Sequence, residues 1–98
     1  MYLVREIMYC KPGKVGEMVK RFKQMLPLMK EAGLAEPRVM TDVSGEQFWT
    51  IVWEQEVPSF EHYLEQTRKA MGDPRMQQIM KGYHDFVERG KREIYKVE

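Results

Sequence analysis

The segment Tyr2 to Cys10 carries large apolar residues on both sides of a two-residue alternation. Leu3, Ile7 and Tyr9 fall on one side, and Tyr2, Val4, Met8 and Cys10 on the other. Rich in Tyr, Val, Ile and Leu, and closed by Lys11-Pro12-Gly13-Lys14, it reads as a strand. Successive side chains of a strand point to opposite faces, so a strand apolar on both needs cover on both. Arg5 and Glu6 interrupt the pattern, one on each face, which directs one charge into an enclosed place. Such a charge is costly unless paired. Two readings follow: a cross-strand ion pair with Glu93 or Arg92 near the end of the chain, or Arg5 as the anchor of an acidic ligand.

The rest of the chain alternates between the two regular periods. Val15, Met18, Val19, Phe22, Met25, Leu26 and Met29 form the stripe of a helix running from about Lys14 to Glu31, with Lys14, Lys20, Arg21, Lys23 and Lys30 turned to water. Pro27 should kink it or stop it early. Arg38 to Val43 and Gln47 to Gln55 read as two strands joined by a short turn at Ser44-Gly45-Glu46. In that register Val39, Thr41 and Val43 share a face with Trp49, Ile51 and Trp53. Ser59 is placed to cap a helix whose stripe is Phe60, Tyr63, Leu64, Thr67 and Met71. Asp73-Pro74 starts another helix, expected to continue through Met76, Ile79, Met80, Tyr83 and Val87 until Gly90. Ile94, Tyr95 and Val97 suggest a last strand.

The order β-α-β-β-α(α)-β describes an α+β ferredoxin-like βαββαβ plait: a four-stranded antiparallel sheet with helices on one face, in one domain spanning residues 1–98. Helices on one face leave the other apolar face of the first strand bare, and a second copy of the chain is the simplest cover. A homodimer is therefore expected.

Composition removes several function classes. Sixteen Lys and Arg against 15 Asp and Glu give a net charge of +1, without the one-sided basic surface that nucleic acid or an anionic membrane would require. A single cysteine excludes an intrachain disulfide, and no secretory or membrane-spanning pattern is visible, so a cytoplasmic protein is expected. His62 and His84 with a distant Cys10 have no metal-ligand spacing, and no glycine-rich phosphate loop or Gly-x-Ser-x-Gly elbow is present. No cofactor or metal is called for.

The residues that carry chemistry are few. Trp49 and Trp53, with Ile51 between them, are either core packing under the helices or a flat apolar wall for a ring-shaped substrate. His62, in the first turn of its helix, is either a surface histidine or an imidazole that accepts a proton from a phenol or quinol. Trp53 at the end of its strand and His62 just after it are expected to border one pocket, with Arg5 as a polar anchor. Cys10 reads as an inert, semi-buried thiol. The methionines of the helical stripes read as adaptable core filler.

The opening Tyr2-Leu3-Val4-Arg5-Glu6, the turn Lys11-Pro12-Gly13-Lys14 before a long helix, Val43-Ser44-Gly45 before an aromatic strand, and the closing Tyr83…Gly90-Lys91-Arg92-Glu93-Ile94-Tyr95 resemble the dimeric α/β-barrel superfamily. The nearest branches are the NIPSNAP-like and antibiotic-biosynthesis-monooxygenase-like proteins. The resemblance implies a homodimer whose sheets close into a barrel, with a ligand cleft between sheet and helices in each subunit. It implies a cofactor-free monooxygenase-like enzyme for an aromatic or quinone-like molecule, His62 catalytic and Trp53, Trp49 and Arg5 binding substrate. The alternative is a non-catalytic NIPSNAP-like ligand-binding or stress-related domain. Oxygenases of the superfamily combine a Trp and a basic residue with an Asn, and this sequence contains no Asn.

Overall fold

The computed structural model describes residues 1–98. In chain order the elements are β1 (Tyr2–Cys10), α1 (Val15–Glu31), β2 (Arg38–Thr41), β3 (Thr50–Val57), α2 (Phe60–Met71), α3 (Pro74–Met80), a 3-10 turn at Tyr83–Asp85, and β4 (Val87–Lys96). All neighbouring strands pair antiparallel in the order β2-β3-β1-β4, the expected ferredoxin-like plait. No helix is long and apolar enough to cross a membrane.

Strand register decides what each face presents. Val4, Glu6 and Met8 of β1 lie beside Gln55, Trp53 and Ile51 of β3 and share the face packed by the helices. Leu3, Arg5, Ile7 and Tyr9 share the other face with Glu56, Glu54, Val52 and Thr50. The core sits on the first side, where Met18 and Phe22 of α1, Tyr63 of α2 and Met76 of α3 close over Val4, Ile51 and Trp53.

Three features differ from the sequence reading. Val39 pairs with Trp53 instead of Ile51. That slip of two residues keeps the face assignments of the residues that stay in the strands, because side-chain direction repeats every second residue, but it replaces the short turn by an eight-residue loop from Asp42 to Trp49, which takes Val43 and Trp49 out of the sheet. The loop is held by Asp42 Oδ1, which accepts from Thr50 N at 2.8 Å, and by the Thr50 hydroxyl donating to the Gln47 carbonyl at 2.9 Å. Its residues Ser44 to Gln47 border a hollow of about 400 Å³ on the open face, together with Ile7, Tyr9 and Val52. Part of the cover that β1 needs therefore comes from its own chain.

The helix expected to run to Gly90 stops at Met80. Gly82 adopts φ +78°, a left-handed conformation that ends a helix, and residues 87–96 become β4. Gly90 lies beside Met8 in the sheet, and a Cβ there would meet the Ile7 carbonyl at 3.1 Å, so the residue read as a helix stop is a close-approach point between strands.

Arg21 does not face water. Its guanidinium donates to the carbonyls of Ile79 and Lys81, at 2.5 and 2.8 Å, and lies 4.9 Å from the Phe86 ring. It thereby ties α1 to the carbonyl end of α3. Pro27, by contrast, is exposed, and α1 continues past it for another turn to Glu31.

A polar-seeded cleft between sheet and helices

Six helices and strands, with the 3-10 turn, enclose a cleft of about 320 Å³ under the helices, within the size range of small-molecule sites. Its body is apolar, and five of the chain's nine methionines border it: Met8, Met25, Met29, Met71 and Met80. Unbranched thioethers adapt to the shape of what they enclose, so such a wall accommodates more than one outline. Trp53 is 4% exposed and meets Phe22 edge-to-face, with centroids 5.3 Å apart, so most of the indole is core and only part of it borders the cleft.

The polar groups are set into this wall by strand alternation and helix periodicity. Glu6 comes from β1 and Gln55 from β3, both at inward-facing positions, and Arg92 is directly beside Glu6 on β4. Tyr63 and Thr67, four residues apart on α2, face them from above. The Tyr63 phenol donates to Glu6 Oε1 at 2.9 Å, and Arg92 Nε donates to the same oxygen. The Arg92 guanidinium also lies 5.8 Å from the Tyr63 ring centroid. Burial first, and then the adjoining Glu6 charge and hydrogen bond, push the Tyr63 pKa up to about 12. Burial alone would lower the Arg92 value, but Glu6 outweighs it and holds the guanidinium more firmly protonated than usual. The Glu6–Arg92 pair is one of the two cross-strand ion pairs that the sequence allowed.

Two further atoms of the wall lack a well-formed bond. Gln55 Oε1 is buried with no hydrogen bond, and Thr67 Oγ is buried beside the Tyr63 phenol without good geometry, although buried polar atoms are satisfied in the great majority of native structures. Both residues border the cleft.

The residues singled out from sequence do not assemble. His62 lies one residue before Tyr63, about 100° around α2, and so is turned out of the cleft. It borders a separate open hollow with Lys30, Leu34 and Glu56, and its backbone N–H donates to the Ser59 cap at 3.1 Å. The expected pocket shared by Trp53 and His62 is not formed. Trp49 is outside β3, with φ +61°, bordering a third hollow with Val15 and Phe48. Its carbonyl accepts from Cys10 N at 2.8 Å, which pins the loop to the end of β1. Arg5 is on the opposite face of the sheet, 2.9 Å from Glu54 and 3.7 Å from Glu93. It is the second of the cross-strand pairs. Cys10 is buried, and burial together with Asp42 raises its thiol pKa, which disfavours the reactive thiolate. No cluster of three His, Cys, Asp or Glu side chains could hold a metal ion.

Nothing in the sequence alone assembles Gln55, Thr67, Tyr63 and Arg92 as a site. The available signal was a polar side chain where the period demands an apolar one: Gln55 after Ile51 and Trp53, and Thr67 in the stripe of α2.

A four-stranded plait with a cleft between its sheet and its helices defines a class of small α+β domains. Comparison with solved structures places the chain within it more narrowly. A NIPSNAP family protein of unknown function from Agrobacterium tumefaciens superposes with a TM-score of 0.86 at 20% identity, over 99% of this chain and 87% of that one. An uncharacterized NIPSNAP domain protein from Burkholderia xenovorans gives 0.83 at 18% identity, over 100% and 95%. An antibiotic biosynthesis monooxygenase gives 0.72 at 10% identity, over 100% and 99%. The fold is thus the ferredoxin-like one of the NIPSNAP and antibiotic biosynthesis monooxygenase structures. By sequence, neither a family model nor a curated protein matches the chain.

Proposed function

We propose that the protein holds a small, mainly apolar molecule in the cleft between sheet and helices, as a ligand-binding domain of the NIPSNAP type. One observation carries this reading: Gln55 Oε1 and Thr67 Oγ are buried without a well-formed hydrogen bond, on residues that border a mainly apolar cavity. Leaving such groups unsatisfied costs about 1–3 kcal/mol each, and a bound molecule or water in the cleft relieves that cost. Filling the cleft tests it. Met80→Trp should abolish calorimetric binding of uncharged aromatic probes, whereas His62→Ala should leave it unchanged. Loss of binding in His62→Ala alone would move the site to the outer hollow.

A second reading is cofactor-free oxidation of the bound molecule, favoured by the Glu6 carboxylate in the cleft wall. Only its Oε1 is engaged by Tyr63 and Arg92, so Oε2 is free to take a proton from a bound hydroxyl, leaving an electron-rich anion for dioxygen. Oxygen uptake on adding a bound phenol, reduced about 10²-fold or more by Glu6→Gln, distinguishes turnover from binding.

We also propose that the working form is a homodimer joined through the open face of the sheet, where Met40 beside Val52 and Tyr95 beside Leu3 remain exposed.

A further inference from the structure

We propose that the cleft selects an uncharged apolar molecule whose polar end is a hydroxyl group, an inference that rests on reading the cleft as a ligand site. Gln55 is only 4% exposed. Its carboxamide offers one acceptor oxygen and two N–H donors, and the oxygen is without a partner. On α2, the buried Thr67 hydroxyl can both donate and accept, and it lies beside the Tyr63 phenol without a well-formed hydrogen bond. Val4, beside Gln55 in β1, supplies no polar side chain. The complement of these groups is one that donates and accepts at once, which a hydroxyl does in either orientation of the carboxamide.

Charge narrows the choice. Glu6 and Arg92 neutralise each other, so the wall holds no unpaired charge. A carboxylate entering the cleft would lose its water without gaining a counter-ion, and it would face the Glu6 oxygens. A plain hydrocarbon would fit the methionine wall but would seal Gln55 and Thr67 away from water. A hydroxyl on an apolar body avoids both costs.

The test is calorimetric titration at pH 7 of three probes of one size: 2-naphthol, naphthalene and 2-naphthoate. The naphthol should bind about tenfold or more tightly than either of the others, the worth of one hydrogen bond in a dry site. Gln55→Leu and Thr67→Val should each remove most of that preference while leaving naphthalene binding equal or tighter. Circular dichroism melting establishes that each variant folds, and the near-isosteric Thr67→Val carries the test if Gln55→Leu does not. Equal binding of naphthol and naphthalene, preference for naphthoate, or a preference that survives both substitutions would overturn the inference while leaving a ligand cleft in place. Binding of none of the three would overturn the cleft reading itself and the inference with it.

Discussion

Tyr63 and Glu6 face each other across the gap between α2 and β1, joined by a 2.9 Å hydrogen bond from the phenol to Oε1. The bond ties a helix to the second strand from one sheet edge, at the boundary between core and cleft. Because burial and the Glu6 charge raise the Tyr63 pKa to about 12, the folded chain keeps a proton that the unfolded chain releases near its ordinary value of about 10. The stabilisation is therefore whole below about pH 10 and is lost as pH climbs toward 12. In a tyrosine absorbance titration, one of the five tyrosines should ionise last, near pH 12. Tyr63→Phe should remove that step and cost about 0.5–1.5 kcal/mol at neutral pH. A Tyr63→Phe protein with the same alkaline titration would show that the late step belongs elsewhere.

On the opposite face, Glu54 is a carboxylate only 7% exposed, clasped by Arg5 at 2.9 Å and by Arg38. Burial works to raise its pKa, but the hydrogen bonds and charges of the two arginines prevail and hold it below the ordinary carboxylate value. A depressed pKa gives stability that is present above the unfolded value of about 4.3 and lost as pH falls through the folded one. Glu54→Gln should flatten the acid limb of a stability–pH curve below about pH 4.5. At pH 7 it should cost about 1–2 kcal/mol, less than for a fully buried pair because Arg38 is largely exposed. An unchanged acid limb would assign the acid sensitivity to other carboxylates.

How much of this was legible in sequence follows from what each signal encodes. Periodicity encodes which side of an element faces the core. It therefore gave the plait, both faces of β1 and the inward set Val39, Ile51 and Trp53, even though the register of β2 on β3 was off by two residues. Periodicity does not encode how far an element continues. Tyr83 and Val87 fitted a helical stripe, and only the left-handed Gly82 and the long pairing of β4 with β1 turn that stretch into a turn and a strand. Arg5 and Glu6 each break an apolar face, which leaves open a cross-strand ion pair or, for Arg5, a ligand anchor; the ion pairs Arg5–Glu93 and Glu6–Arg92 are present. The cleft was less legible, since it draws residues from positions as distant as 6, 55, 63 and 92. Nearness along the chain suggests one pocket for His62 and Trp53, whereas a step of one residue on a helix turns the side chain by about 100°.

Pro27 gives a third expectation. It lacks an N–H for the Lys23 carbonyl, yet α1 continues to Glu31 and the proline ring is exposed. Lys23 is exposed as well, so water can serve its carbonyl. Nothing in the core depends on the ring, and Pro27→Ala should raise stability. Restoring a helical bond gains up to ~3 kcal/mol, and the greater freedom of the unfolded alanine chain returns part of this, leaving about 1–2 kcal/mol. A fall in the denaturation midpoint would show that the ring sets the direction of the last turn, where Leu28 and Met29 enter the core.

The open face supplies the last prediction. Several of its charges are already matched within one chain, Arg5 and Arg38 on Glu54 and Lys91 near Glu93, which lowers the cost of docking a second copy, while Glu56 and Arg89 on the same face carry no ion pair. Between these pairs lie Ile7 and Val52, with Met40 and Tyr95 each more than a third exposed. The loop from Asp42 to Trp49 covers only one end of the face and leaves its own Phe48 85% exposed. A stable dimer through this face should bury more than about 1,200 Å² in total. Sedimentation at tens of micromolar protein should give a single species of twice the chain mass. The double variant Met40→Asp with Tyr95→Asp should weaken association at least about tenfold, through like charges facing each other and lost apolar contact. Because both side chains stand largely outside the core, the variant should keep the circular dichroism spectrum of the parent. A parent protein that sediments at the single-chain mass would mean that loop and ion pairs suffice to cover β1. The open face would then be a finished surface, with no second copy needed to explain a strand apolar on both sides.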